Sequence, residues 1–360
     1  MSHLTLAWLT VLPWAASGCV APPSRGGDAD RVALKNRAMD VLHAAISYQG
    51  NPAVRVEAVE ALEACPAAEA TPWIRTALRD SEPAVRFAAS VACGRLRDGA
   101  AEDRLRELAG DGDRNVQVAA LFALHRLGHR ERTGLIPNYL LVEQGVGVRR
   151  NAALLLGLLD EPSAVKVLAR GMRDADAGVR QHALEAMARL GNREARQELV
   201  FMTNAGVGSD EVMAINALSE TNDPVYEDAF RRKLATADHV ETRLAAARGL
   251  GRLGSDVGFE VAMRALRSKP PVRGDPHDPA ASKVLRIRQM ATAALGEIGR
   301  VDALPTLNEL LTDQSDPRVQ VSAARAIVRI IEADRGGALP FGTGVRKRRN
   351  VEKSKRATRL

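Results

Sequence analysis

An apolar residue, often followed by Arg, is answered four places later by Ala, and this pairing recurs down the whole chain. The alanines are Ala58, Ala89, Ala120, Ala152, Ala183, Ala217, Ala246, Ala291 and Ala323, at intervals of 31, 31, 32, 31, 34, 29, 45 and 32 residues. Copies this short cannot each enclose a core, so each must bury its apolar side on its neighbours. A fold with one central core is thereby excluded, although 360 residues would otherwise suggest two or three compact domains.

Every copy has the same internal order. Counting from the apolar residue that precedes each Ala by four, offset 0 holds Val54, Val85, Val116, Val148, Val179, Met213, Thr242, Ile287 and Val319. Offset 8 holds mostly Leu, as at Leu62, Leu124 and Leu250, and offset 11 likewise, as at Leu96, Leu127 and Leu253. At 3.6 residues per turn, offsets 0, 4, 8 and 11 fall within about 80° of one another, which is one buried helix stripe. Asn51-Pro52 and Asp316-Pro317 place a capping side chain before a proline at the first helical position. Gly128, Gly191, Gly254 and Gly299 follow the stripe, where a helix end favours positive φ. A second apolar-periodic stretch lies between successive stripes, for example Trp73 to Leu78 and Val165 to Met172. Each copy is therefore a helical hairpin, and residues 30–335 are expected to form an all-α solenoid of about nine stacked hairpins.

The Val-Arg…Ala…Leu…Leu-Gly pattern resembles HEAT repeats, especially the short class of the phycobilisome lyases. The resemblance implies an elongated, curved stack with a concave face. It also implies that the recurring Arg at offset 1 (Arg55, Arg86, Arg149, Arg180, Arg243, Arg288) pairs with an acid of an adjacent repeat, with Asp80, Asp111 and Asp174 as candidates. The sixth copy has Thr221 and Pro224 at core offsets, so its helix should end early or pack imperfectly. The 45-residue interval carries a proline-rich insertion, 269–282, expected as a loop between the two helices of the eighth hairpin.

The ends are of a different character. Residues 1–24 contain no Asp, Glu, Lys or Arg, and Leu4 to Ala16 is an apolar run too short for a comfortable membrane span but suited to an export signal. The following Ala16-Ser17-Gly18-Cys19 resembles the lipobox of bacterial lipoproteins, which implies cleavage after residue 18 and acylation of Cys19. Residues 19–29 read as a flexible tether and 336–360 as a disordered basic tail. From Thr343 onward there are eight cations, among them Arg346, Lys347, Arg348 and Arg349, against the single anion Glu352. The chain has 51 basic and 44 acidic residues, so removing the tail leaves 43 of each. The tail's charge suits an anionic membrane surface. No aromatic residue interleaves it, which argues against nucleic acid.

Nothing in the pattern is catalytic. The seven histidines show no metal-ligand spacing, the glycine-rich stretches lack a P-loop Lys, and Cys65 and Cys93 fall on the buried stripe. No cofactor and no metal are expected. The side opposite the stripe is more informative. At offset 6, expected to face the concave surface, Val91, Phe122 and Leu154 are apolar on consecutive repeats, and offset 10 brings Arg95, Arg126, Arg189 and Arg252. Apolar anchors rimmed by Arg have the composition of an interface hot spot, so these seven are the candidate partner-binding residues, with Phe122 at the centre. The sequence thus suggests a non-enzymatic protein-interaction scaffold, lipid-anchored on the periplasmic side of a bacterial envelope. The HEAT resemblance also admits an enzyme of chromophore-lyase or DNA-glycosylase type, and a cytoplasmic scaffold whose tail binds nucleic acid.

Overall fold

The structure, a computed structural model, describes residues 25–336 apart from 132 and 268–278. Cys19, the export signal, most of the insertion and the basic tail lie outside the described residues. Among the described residues there are eighteen α-helices, four short 3-10 turns and no strand. The even-numbered helices form one series: α2 (Pro52–Leu62), α4 (Pro83–Leu96), α6 (Arg114–Arg126), α8 (Val146–Leu158), α10 (Ala177–Arg189), α12 (Gly208–Glu220), α14 (Val240–Arg252), α16 (Ala280–Ile298) and α18 (Pro317–Asp334). The odd-numbered helices alternate with them: α1 (Arg25–Ala45), α3 (Ala67–Ala77), α5 (Glu102–Leu108), α7 (Ile136–Leu141), α9 (Ala164–Gly171), α11 (Arg193–Met202), α13 (Glu227–Thr236), α15 (Phe259–Leu266) and α17 (Leu304–Leu310). Helix α1 begins at Arg25, inside the stretch expected as tether, and Ala280 to Ser282 of the expected insertion belong to α16.

The local rules behave as the residues dictate. Asn51 and Asp316 cap α2 and α18 through their side chains, with Pro at the first helical position, and Asp113 and Asp176 cap α6 and α10. Gly128, Gly191, Gly254 and Gly299 all take positive φ. The sixth hairpin departs as expected. Helix α12 stops at Glu220, three residues earlier in register than α10 and α14, and Pro224 opens a 3-10 turn. Its stripe also moves on by one residue, burying Ala214 and Leu218 while Met213 and Ala217 are only half-buried.

An Arg–Asp ladder ties successive repeats together. Arg55 binds Asp80 through two parallel hydrogen bonds of 2.7 and 2.9 Å, and Arg86–Asp111 and Arg149–Asp174 repeat the geometry. Arg288 reaches Asp313 at 3.0 Å, again 25 residues on. Each of these arginines except Arg288 also donates to a carbonyl just before its own helix, and each aspartate accepts a backbone N–H two residues ahead. The pair thus closes two turns at once. Arg180 has Ala205 at the position 25 residues on and, among the described residues, bonds only to the carbonyls of Asp174 and Ala175.

The stack does not remain open, contrary to the expected elongated shape. Helix α18 packs on both α1 and α2, so the last repeat meets the first and the solenoid closes into a ring. Lys35 of α1 bridges the seam, 2.7 Å from Glu69 and 2.8 Å from Glu332, and Arg31 pairs with Asp334. Burial works against the Lys35 charge, but the hydrogen bonds to Glu332 and Glu69 outweigh it and hold the ammonium above its ordinary value. Gln289 reaches across to Glu57 at 2.8 Å. Closure follows from tight packing of the inner helices. A Cβ at Gly157 would lie 2.6 Å from that of Ala186, and one at Gly94 only 2.7 Å from the Ala123 Cα. The outer positions carry larger side chains such as Trp73, Ile136, Phe230 and Phe259, so each hairpin is a wedge. Nine wedges complete a turn at about 40° each.

The same close approach corrects the placement of Phe122. It is fully buried, not presented to the concave surface, because its ring fills the space left by Gly94 on the preceding inner helix. Phe122→Ala should therefore cost about 3–5 kcal/mol of stability, as for a large aromatic removed from a core. Denaturant unfolding of the variant measures this, and a loss below about 1 kcal/mol would place the ring outside the core.

Candidate functional site

The residues that line the middle of the ring come from the even-numbered helices and their caps, with Ala64 just beyond the end of α2, which makes these the inner series. The cavity there measures about 870 Å³. One wall is apolar, formed by Val56, Phe87, Ala88, Val91, Leu154 and Leu158 from α2, α4 and α8. The other carries six arginines: Arg95, Arg189, Arg248, Arg252, Arg325 and Arg329. Three of these, Arg95, Arg189 and Arg252, stand in the last turns of their helices, where the exposed carbonyl ends favour cations by about 0.3–1 kcal/mol.

Glutamates from neighbouring helices meet them. Glu63 lies 2.6 Å from Arg95. Glu220 is shared by Arg248 at 3.3 Å, Arg252 at 3.4 Å and Arg189 at 3.7 Å. Glu297 takes Arg329 and, at 3.7 Å, Arg252. Burial works to raise the Glu220 carboxyl, yet Arg252, Arg248 and Arg189 together hold it below its ordinary value. At Glu63 burial outweighs the attraction of Arg95 and Arg325, so its carboxyl is raised. Glu60 lines the cavity and makes no hydrogen bond or ion pair among the described residues. Burial pushes its carboxyl up despite the attraction of Arg325 and Arg95. Glu82 and Asp113 stand at the opposite, N-terminal ends of the inner helices, and Asp113 is committed to capping α6.

Of the seven residues singled out in the sequence, Val91, Leu154, Arg95, Arg189 and Arg252 line this cavity. Phe122 does not, being core, and Arg126 is not among the lining residues and pairs with Asp160 at 3.1 Å. Cys19 and Arg346 to Arg349 lie outside the described residues. The three further arginines sit in the two registers already noted, offsets 6 and 10. The glutamates share no register: Glu60 and Glu63 hold offsets 6 and 9 of the first copy, Glu220 offset 7 of the sixth and Glu297 offset 10 of the eighth. A search for Glu in the last turns of the inner helices would have found them.

The arrangement presents paired charges beside an apolar wall. Burial pushes both the Cys65 and Cys93 thiols up to about 12, so neither is a thiolate at neutral pH. Among the described residues no group of three or more His, Cys, Asp and Glu could hold a metal ion, and no helix is long and apolar enough to cross a membrane.

The repeat pattern matches the family model for HEAT repeats over residues 39–125 and 141–212, and the model for PBS lyase HEAT-like repeats over 287–313. The chain belongs to the HEAT-repeat proteins. No curated protein sequence matches it. Among solved structures, it resembles human deoxyhypusine hydroxylase at 17% identity and TM-score 0.35, covering 76% of this chain and 99% of that one. It resembles the CpcE–CpcF complex of phycocyanin lyase from Nostoc at 17% identity and TM-score 0.40, covering 70% and 97%. It also resembles Kap121p bound to Nup53p at 16% identity and TM-score 0.31, covering 80% of this chain and 37% of that one.

The raised Glu60 carboxyl yields a signed prediction. A folded value above the usual 4.5 means that the folded state takes up the proton more readily, so stability falls as pH rises through that window. At neutral pH the ionised Glu60 then opposes folding. Glu60→Gln should melt higher than the parent at neutral pH, with the gain shrinking as the pH is lowered towards 4.5. A thermal scan at both values checks this; a variant that melts lower at neutral pH contradicts it.

Proposed function

We propose that this chain is a non-enzymatic interaction scaffold, lipid-anchored through Cys19 on the periplasmic side of a bacterial envelope. In this reading the inner face of its ring receives a segment of a protein partner. The observation that carries the binding half is the two-sided cavity, with an apolar wall at Val91 and Leu154 and arginines at its end. A partner segment bearing apolar and acidic residues satisfies both, and Arg-rimmed apolar anchors dominate interface energetics. The guanidinium groups of the cavity are paired with carboxylates, as Arg248 with Glu220 and Arg95 with Glu63, which favours recognition over chemistry at this site.

The anchoring half is supported by the way the ring closes. Arg31 pairs with Asp334 and Lys35 with Glu332, so α1 and α18 run antiparallel across the seam. The chain therefore enters the ring at Arg25 and leaves it after Asp334 at the same end. An acylated Cys19 and the cationic Arg346 to Arg349 would be attached at neighbouring points. An acyl chain contributes about 0.8 kcal/mol per buried CH₂ and each basic residue about 1 kcal/mol near an anionic surface, and two such signals give stable residence.

Cys19→Ser should move the protein from the membrane to the soluble fraction and remove the acyl mass, whereas deletion of 343–360 should only weaken attachment. Unchanged fractionation and mass in Cys19→Ser would refute the anchor. Leu154→Asp, a half-buried cavity position, should leave the melting temperature within a few degrees while reducing capture of the envelope partner about tenfold or more. Equal capture by both forms would move the partner surface off the inner face.

A further inference from the structure

One rung of the Arg–Asp ladder lacks its acid, although its arginine is set for one. In the rungs at Arg86 and Arg149, Nη1 donates to two carbonyls of the preceding loop. The fork of Nε and Nη2 then takes both oxygens of the aspartate 25 residues on. Arg180 is held in the same way, with Nη1 2.8 Å from the carbonyls of Asp174 and Ala175. Position 205 carries Ala, and the Arg180 Nε and Nη2 make no hydrogen bond among the described residues. The loop opposite keeps the form of an intact rung: the Ala205 N–H bonds the Met202 carbonyl, as that of Asp174 bonds the Gly171 carbonyl. The Asp174 carboxylate accepts the N–H of Asp176, whereas the corresponding N–H of Val207 has no partner among the described residues. Three donors that a carboxylate satisfies in the other rungs are thus unused here.

Neighbouring acids do not take its place. Glu211, buried in the first turn of α12, is 2.7 Å from Lys233, and Asp210 accepts from Ser209 at 3.4 Å. Asp174 and Asp176 are held by Arg149 and Arg150. Acids in such positions do not repel a further carboxylate from the fork, because Arg86 binds Asp111 with Asp80 and Asp113 both close enough to act on it. The surface around Ala205 is apolar. Phe201, four residues before it, is 74% exposed and Val207, two after it, is 50% exposed, where the preceding repeat has Arg170 and Asp176. We propose that Arg180, Phe201 and Val207 form a docking surface for an extended protein segment that presents an aspartate or glutamate beside an apolar residue. The partner's carboxylate completes the rung, and its apolar neighbour covers Phe201 and Val207. A small oxyanion would leave those two uncovered, and the chain's own cationic tail has the wrong sign. The surface stands at the N-terminal ends of the inner helices, opposite the end where the chain enters and leaves the ring. It is separate from the cavity, so either reading can fail alone.

The test uses the full chain and immobilised nonapeptides, capped at both ends, with a central Asp and flanks varied over Leu, Phe, Val and Ser. The same set with central Asn is the comparison. Apolar-flanked Asp peptides should bind at least tenfold more tightly than their Asn counterparts. Arg180→Gln and Phe201→Ser should each weaken that binding about tenfold or more. Ala205→Asp supplies the carboxylate within the chain, so it should melt about 1–3 °C higher than the parent and lose the peptides, whereas Ala205→Ser should keep them. The proposal is overturned if no Asp peptide is preferred over Asn, or if Ala205→Asp binds as the parent does. An unchanged melting temperature in Ala205→Asp would show that the fork is not set for a carboxylate. Self-association of the parent that Ala205→Asp abolishes would make the occupant a second copy of the chain and overturn the choice of partner.

Discussion

Close approach of the inner helices sets the geometry of everything else in this molecule. Gly157 against Ala186 and Gly94 against Ala123 let neighbouring backbones come nearer than any side chain would allow. Glycine in a helix interior costs roughly 0.5–1 kcal/mol relative to alanine, so such positions are kept only when the packing repays the loss. Here the return is curvature. Tight inner seams under larger outer side chains turn each hairpin into a wedge, and the wedges close.

Closure also solves the problem of ends. An open solenoid exposes an apolar face at each terminal repeat and needs special capping units with a polar outer side. In this ring α1 and α18 cover each other, and Leu34, Ala38 and Leu42 share one continuous core with Ile327, Val328 and Ile331. The polar bonds at the seam, Lys35 to Glu332 and Gln289 to Glu57, then specify alignment over an interface that is already apolar. The Arg–Asp ladder does the same between internal repeats. Its carboxylates at Asp80, Asp111 and Asp313 stay below their ordinary values despite burial that works to raise them, because hydrogen bonds outweigh it. At Asp174 the Arg149 bond leads.

Much of this was legible in the sequence, and the divide has a physical basis. Anything set within one repeat or between fixed positions of adjacent repeats could be read: the Ala spacing, the caps, the positive-φ glycines, and the Arg and Asp that lie 25 residues apart. Phe122 could not be placed from its own helix. Its angle on the wheel points away from the stripe, and its burial depends on Gly94, which is 28 residues earlier on a different helix. Ring closure was hidden for a related reason. A small error in rotation per repeat, multiplied by nine, separates an arc from a circle, and no single residue encodes the sum. In the central cavity the arginine registers were visible, but the glutamates fall at irregular offsets because α2, α12 and α16 end at different points.

A closed ring changes what an inner surface can do. An open arc can flex to fit partners of different size, since each repeat touches only its neighbours. Once α18 is fixed to α1 and α2, widening the centre requires breaking the seam or straining all nine inner interfaces together. The cavity is then a site of fixed dimensions, and its selectivity rests on charge and shape at named positions. The charge is unevenly spread: Arg189, Arg252 and Glu220 form a mutually satisfied group, while Arg325 and Glu60 beside the seam do not complete one another.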